Sequence, residues 1–426
     1  MLLAFARVVA LALVCGLFGC TSGSQFDHVT TDPRVHGRVE HHGGLKVLRL
    51  WGTPQERGHA HGVLLGADFA AVALPEFTAR FARQQPLLEQ ARAAVKRLIE
   101  YPEDVQQELQ GLWQGLVESR VSLRMDELDR SFDFTDLLVA NALDVFGLMG
   151  CSSFTVWGQQ AEGGGVLSAR NFDWPFTGEH LLKHTVVVVT HLPGGRAVAA
   201  VTWPGYLGAV TGVNSDGMAA FLHVGSAKIT FTPEPSSWPS ALAVRAILAS
   251  EAKADARTTF AAAQKVLEFT SPPAGYITHV ALPTTAVDGS PAVVFETDAD
   301  SCVEGERQAS ALVLTNHFRT RTDGRKASKD SLDREQRVQT GLRGCIDIGD
   351  HVVSPAEAWQ LLASVQRGGG HAFGTLHALV FRHEPWCFQL RIAELGPKGV
   401  VAAPAVSKLH ELTRQQLFAL GESFGK

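Results

Sequence analysis

Hydrophobic spacing divides the chain at about residue 150. Before it, apolar residues recur every three or four positions. Leu87, Leu88, Ala91, Ala94, Val95, Leu98 and Ile99 form one stripe, and Val105, Leu109, Leu112 and Leu116 form another. This is the period of helices that bury one face. Leu137, Leu138 and Phe146 continue it almost to Gly150, and a short strand at Leu45 to Leu50 leads into the first helical stretch, WGTPQERGHAHGVLLG.

From residue 150 the period changes to two. Phe154 and Val156 fall on one side of a strand, with Ser153, Thr155 and Trp157 on the other. A second run, Val166 to Asn171, follows a connection containing Gly163, Gly164 and Gly165, so the two read as a hairpin. Strands are expected at Thr185 to His191, Ala197 to Thr202, Ala219 to His223, Thr278 to Leu282, Ala292 to Glu296, Ala311 to Thr315, His377 to Phe381 and Cys387 to Ile392. Helices are expected at Ser240 to Ser250, Ala254 to Glu268, Ser331 to Leu342 and Pro355 to Leu362. Strands in hairpins and helices in pairs favour an α+β fold of packed antiparallel sheets flanked by helices over a doubly wound parallel sheet.

Composition changes this picture little. At 45% hydrophobic and 19% charged residues the chain reads as globular, and a net charge of -5 gives no reason to expect nucleic acid. The N-terminus adds a targeting segment. Arg7 precedes an apolar run, Val8 to Gly16, and Leu17-Phe18-Gly19-Cys20 has the form of a lipobox, so 1–20 reads as a lipoprotein signal with Cys20 as the lipidated residue. That implies a bacterial cell-envelope location, at the periplasmic or outer-membrane face, with the membrane as partner through the anchor. Residues 21–44, rich in Gly, Ser, Thr and His, read as a tether; 45–150 as a mainly helical segment; and 151–426 as the catalytic domain. No later stretch reads as a membrane span. His36, His41, His42, His59 and His61 lack the accompanying ligand spacing of a metal site and read as ordinary solvated histidines.

Chemistry concentrates at the hairpin. Its geometry returns Arg170 and Asp173 to the neighbourhood of Cys151, so a thiol, a guanidinium and a carboxylate converge. Cys302, Cys345 and Cys387 read as buried thiols or one disulfide of open pairing. For Cys151 three readings compete. It is a buried strand cysteine, a Cys/His nucleophile, or an N-terminal nucleophile freed by breaking the Gly150-Cys151 bond so that its own α-amino group is the base. The hairpin favours the third.

The stretches GCSSFTVWG and LSARNFDW, then GVNSDGM at 212–218, LVLTN at 312–316 and SLDREQRV at 331–338, resemble the isopenicillin-N acyltransferase-like branch of the N-terminal nucleophile (Ntn) hydrolases. Choloylglycine hydrolase, penicillin V acylase and acid ceramidase are more distantly similar. The resemblance implies a four-layer αββα sandwich preceded by the helical segment. It makes Cys151 the nucleophile, Gly150 the residue before the cut, Arg170 and Asp173 its neighbours, Asn316 a side-chain oxyanion donor, Asn214 a backbone oxyanion donor, and Arg334 the family's later arginine. No cofactor and no metal are called for. The implied activity is cleavage or transfer at the linear amide of an N-acyl small molecule, by an enzyme whose two self-cut chains stay associated. The competing class is a non-catalytic envelope lipoprotein that keeps the fold for binding.

Overall fold

The computed structural model describes residues 28–146, 150–174, 180–225, 227, 238–251, 255–270, 272, 274–283, 289–348, 350–368, 374–395, 401–402 and 404–420. The apolar leader and Cys20 lie outside them.

Two sheets face each other. The smaller orders its strands Ala311–Leu314, Gly150–Trp157, Val166–Trp174, Gly374–Arg382, Cys387–Ile392 and Leu409–Thr413, all antiparallel. The hairpin read from the sequence is therefore central, and both its strands are buried on both faces. The larger sheet has ten strands, running from His28–Thr31 through Gly37–His42, Leu45–Leu50, Val186–His191, Ala197–Thr202, Thr211–Asn214, Ala219–Val224, Tyr276–Ala281 and Ala292–Thr297 to Cys302–Glu304. Leu45–Leu50 and Val186–His191 run parallel, a departure from the antiparallel pairing expected.

Apolar side chains define the layers. Val187, Val189, Ala199 and Phe221 of the larger sheet meet Leu379, Phe381, Phe388 and Leu390 of the smaller one in the middle of the sandwich. On the outer face of the larger sheet, Ala220 and Leu222 pack under helices Ser240–Ala249 and Ala256–Glu268 through Val244, Leu248 and Phe260. On the outer face of the smaller one, Phe154 and Val156 pack under helices Lys329–Arg343 and Pro355–Val365 through Val338, Leu342 and Leu362. The expected αββα order is thus present.

The tether reading fails from His28 onward. Gly37–His42 is a strand, joined to Leu45–Leu50 by a turn in which Gly43 and Gly44 take the left-handed φ values of +54° and +87° that glycine tolerates. Hydrophobic spacing misses it because charge is what it buries. Glu40 accepts from Arg38 Nε at 2.5 Å and Arg49 Nε at 2.8 Å, and Arg49 also donates to the carbonyl of Leu417.

Helices Pro54–Phe81, Gln85–Leu98 and Glu103–Glu118 supply the N-terminal layer. The first is long and apolar enough to cross a membrane, contrary to the sequence reading, yet half of its most apolar window is packed inside the protein. Its Gly58 and Gly62 lie against the backbone of the third helix so closely that an added Cβ would stand 1.9 Å from the Glu108 carbonyl oxygen and 2.4 Å from that of Leu112. Cys302 lies on an edge strand, and Cys302 and Cys345 are free, so no disulfide joins any two of Cys302, Cys345 and Cys387.

Candidate active site

Cys151 sits one residue into its strand, where the two sheets meet, and is completely buried. Alternation turns Ser152 toward helix Lys329–Arg343 and Cys151 toward the larger sheet. The thiol donates toward the Leu222 carbonyl at 3.4 Å, and Arg170 Nη2 reaches both the sulfur, at 3.1 Å, and that same carbonyl, at 2.8 Å. The hairpin register makes the encounter inevitable. Ser153 pairs with Arg170, Cys151 with Phe172, and Gly150 with Asp173.

Asn316 closes the site from strand Ala311–Leu314. Its Oδ1 accepts the Cys151 backbone N–H at 2.9 Å and Arg334 Nη2 at 2.8 Å, while its Nδ2 donates to the Val224 carbonyl at 3.0 Å. Two donors on Oδ1 fix the orientation of the amide, and the second Nδ2 hydrogen is additional to the one that Val224 takes. Arg334, on the buried side of its helix, also donates to the Cys151 carbonyl at 2.5 Å and to Ser152 Oγ at 2.7 Å, and pairs with Asp330 at 3.0 Å. Asp173 is fully buried; Thr375 Oγ1 donates to its Oδ1 at 2.6 Å, and Arg367 Nε stands 3.4 Å from its Oδ2.

Burial sets the protonation states. It pushes the Cys151 thiol up to about 11, outweighing the opposing pull of Arg170. Burial likewise raises the Asp173 carboxyl and lowers Arg170. The Arg170 guanidinium lies 5.3 Å from the ring centre of Phe172 and 5.6 Å from that of Phe221, contacts that favour a cation where water is excluded.

Five of the six residues singled out for the site, Cys151, Arg170, Asp173, Asn316 and Arg334, come together. Asn214 does not join them. Its N–H donates to the Met218 carbonyl at 2.9 Å, its Oδ1 accepts from the backbone of Asp216 and Met218, and its Nδ2 donates to Leu248. It closes the hairpin between two strands, and the backbone N–H expected to meet the oxyanion is already taken by Met218. The backbone that does face the site is that of strand Ala219–Val224. Leu222 directs its carbonyl to Cys151, Val224 directs its carbonyl to Asn316, and in an antiparallel strand a residue's N–H points the same way as its C=O. No sequence signal marks Val224, because a backbone donor can belong to any residue.

A cavity of about 90 Å³ adjoins the site. Its walls include Phe69, Phe77 and Leu143 from before the cysteine and Phe172, Trp174 and Trp203 from after it. Phe172, paired with Cys151, shares its face of the sheet. Asp144 also lines the cavity; it accepts from Tyr206 Oη at 3.1 Å and the Ala241 N–H at 2.9 Å, and burial raises its carboxyl to about 6. Among the clustered histidines, His61 is buried and accepts the Gly205 N–H at 2.9 Å, so it is not a solvated residue; His59 and His36 meet Glu118 and Glu56.

No curated protein matches the sequence. Solved structures with a similar chain path include a Caenorhabditis elegans N-acylethanolamine-hydrolyzing acid amidase ortholog, 16% identical, spanning 55% of this chain and 93% of its own with a TM-score of 0.39. Conjugated bile acid hydrolase from Clostridium perfringens is 9% identical over 64% of this chain and 99% of its own, TM-score 0.39. Penicillin V acylase from Agrobacterium tumefaciens is 13% identical over 62% and 86%, TM-score 0.38. The family model for acyl-coenzyme A:6-aminopenicillanic acid acyl-transferase matches residues 160–395, more than half of the chain, and takes in Arg170, Asp173, Asn316 and Arg334. By that match the chain belongs to the acyl-coenzyme A:6-aminopenicillanic acid acyl-transferase family, a family of acyl-transferring enzymes.

Proposed function

We propose that the chain cuts itself between Gly150 and Cys151 and then acts as a cysteine amidohydrolase or N-acyltransferase on the linear amide of an N-acyl small molecule. The observation that carries this reading is the double hold on Cys151: Arg170 on its sulfur and Asn316 on its backbone nitrogen, the atom that becomes the α-amino group.

In the first stage the thiol attacks the Gly150 carbonyl. A carbon–sulfur bond forms, the Gly150–Cys151 amide breaks, and the nitrogen takes up the proton that sulfur gives up. Water then hydrolyses the thioester and frees both the Gly150 carboxylate and the thiol. Arg334, on the Cys151 carbonyl, holds the residue in place throughout.

In the second stage the α-amino group takes the thiol proton and Asp173 orients the resulting ammonium. The sulfur attacks the substrate carbonyl. The oxyanion receives the spare Nδ2 hydrogen of Asn316 and the N–H of Val224, the backbone donor that takes the place expected of Asn214. Preorganised donors of this kind contribute about 3 to 4 kcal/mol each. The leaving amine carries off the proton, and the acyl-enzyme passes to water or to an acceptor amine. The aromatic-lined cavity beyond Phe172 suits an apolar acyl group. The protein is anchored to the bacterial envelope by lipid on Cys20.

Intact mass and N-terminal sequencing of purified protein test the reading. Two chains that stay together, the second starting at Cys151, are expected. Turnover by a wholly uncut chain would overturn the mechanism.

A further inference from the structure

Between the sheets, in line with Cys151, runs a file of buried polar side chains that the mechanism does not use. Ser153 Oγ lies 2.9 Å from His223 Nε2 and 2.9 Å from His279 Nδ1. Thr155 Oγ1 lies 3.0 Å from His279 Nε2 and 2.8 Å from Ser168 Oγ, and Ser168 Oγ is 2.9 Å from His383 Nε2. The far end is fixed, because His383 Nδ1 stands 2.7 Å from the carbonyl oxygen of Gly217.

A carbonyl can only accept, so His383 carries its proton on Nδ1, and every other proton then follows. His383 Nε2 accepts from Ser168, Ser168 from Thr155, and Thr155 from His279 Nε2–H. His279 Nδ1 accepts from Ser153, and Ser153 from His223 Nε2–H. Three neutral imidazoles and three hydroxyls supply six protons for six hydrogen bonds, all pointing the same way. Burial keeps all three rings neutral, and the neighbouring Arg170 cation reinforces this at His223 and His279.

The near end explains what such a file is for. Ser153 is the next inward-facing residue after Cys151 on the nucleophile strand. His223 stands between Leu222, whose carbonyl holds the thiol and Arg170, and Val224, whose carbonyl holds the Asn316 amide. One side-chain contact, Ser153 to His223, thus sets the nucleophile strand against the two peptide groups that position sulfur and oxyanion donor. We propose that Ser153, His223, His279, Thr155, Ser168 and His383 form a one-way hydrogen-bond relay that positions Cys151 and Asn316 relative to each other. They are positioning residues, and the assignment rests on the catalytic reading above.

Nitrogen-15 NMR of the uncut Cys151→Ala chain reads the ring protons without any catalysis. Nδ1–H on His383 with Nε2–H on His279 and His223 is expected; the opposite tautomer at His279, or a charged ring, overturns the relay. In the active chain, Ser153→Ala should lower both self-cutting and kcat by about 10- to 100-fold with KM unchanged, the size of loss that small misplacements of reacting groups produce. Ser153→Thr, which restores the hydroxyl, should recover most of it. Thr155→Val, two hydrogen bonds further along, should show the same pattern more weakly and serves if Ser153→Ala does not fold. Unchanged kcat in the folded Ser153→Ala protein overturns the positioning role. Correct tautomers in a wild-type chain that neither cuts nor turns over would support the relay and instead sink the catalytic reading.

Discussion

Two asparagines end short apolar strands in this protein, and they do opposite things. Asn214 ends Thr211–Asn214 and spends most of its hydrogen bonds on its own turn, at Asp216 and Met218, with one more to Leu248, 34 positions away. Asn316 follows Ala311–Leu314 and spends its own on Cys151, Val224 and Arg334, which are 165, 92 and 18 positions away in sequence. The first satisfies a turn; the second joins three distant segments at a sulfur. The residue type and the strand before it are alike, so what lies across the gap decides the role.

The largest break in this comparison comes from removing what Asn316 faces. Cys151→Ala should give a single uncut chain with no turnover in any amide assay, while the Asn214 hairpin and the melting profile stay as they are. Asn316→Ala comes next. With charge on the oxyanion only in the transition state, kcat should fall about 100- to 1000-fold and KM should hardly move. A rise in KM at constant kcat would mean that Asn316 binds substrate rather than the oxyanion.

The pH dependence sharpens the same side. With the thiol at about 11 in the uncut chain, the thiolate fraction below that value grows about tenfold for each unit that the pH rises. Self-cutting of freshly made protein should therefore quicken about tenfold between about pH 7 and about pH 8. A flat profile would point to a base other than solvent. Asn214→Ala should do the converse of Asn316→Ala. It leaves the buried N–H of Met218, and the N–H of exposed Asp216, without their acceptor, so urea unfolding should show a loss of about 1 to 3 kcal/mol, while kcat of the folded protein stays within about twofold. The smallest effect belongs to Cys20→Ala, which should move the protein from the detergent phase to the aqueous phase without altering kcat.

How much of this was legible depended on the range of the interactions. The hairpin could be read because period-two alternation and a glycine-rich connection are local, and with it came the meeting of Cys151, Arg170 and Asp173. The strand Gly37–His42 could not, because its inward face carries Arg38 and Glu40, whose burial makes sense only once Arg49 is placed beside them. Asn214 was misassigned for a related reason. Asn-Ser-Asp-Gly has the same spelling whether its amides face a substrate or a turn. The relay histidines were invisible, since His223 and His279 stand on two separate strands, His383 just past the end of a third, and the three share no spacing.

The parallel pairing of Leu45–Leu50 with Val186–His191 has a consequence for what maturation can and cannot do. Three of the ten strands in the larger sheet come from before the cut, and Lys46 to Leu50 are hydrogen-bonded in register with Val186 to Thr190. The proposed nick at Gly150 would therefore not create two subunits that meet at a surface. It would leave the larger sheet woven from two polypeptides, so dilution should not dissociate them, and neither piece made alone would carry that sheet whole.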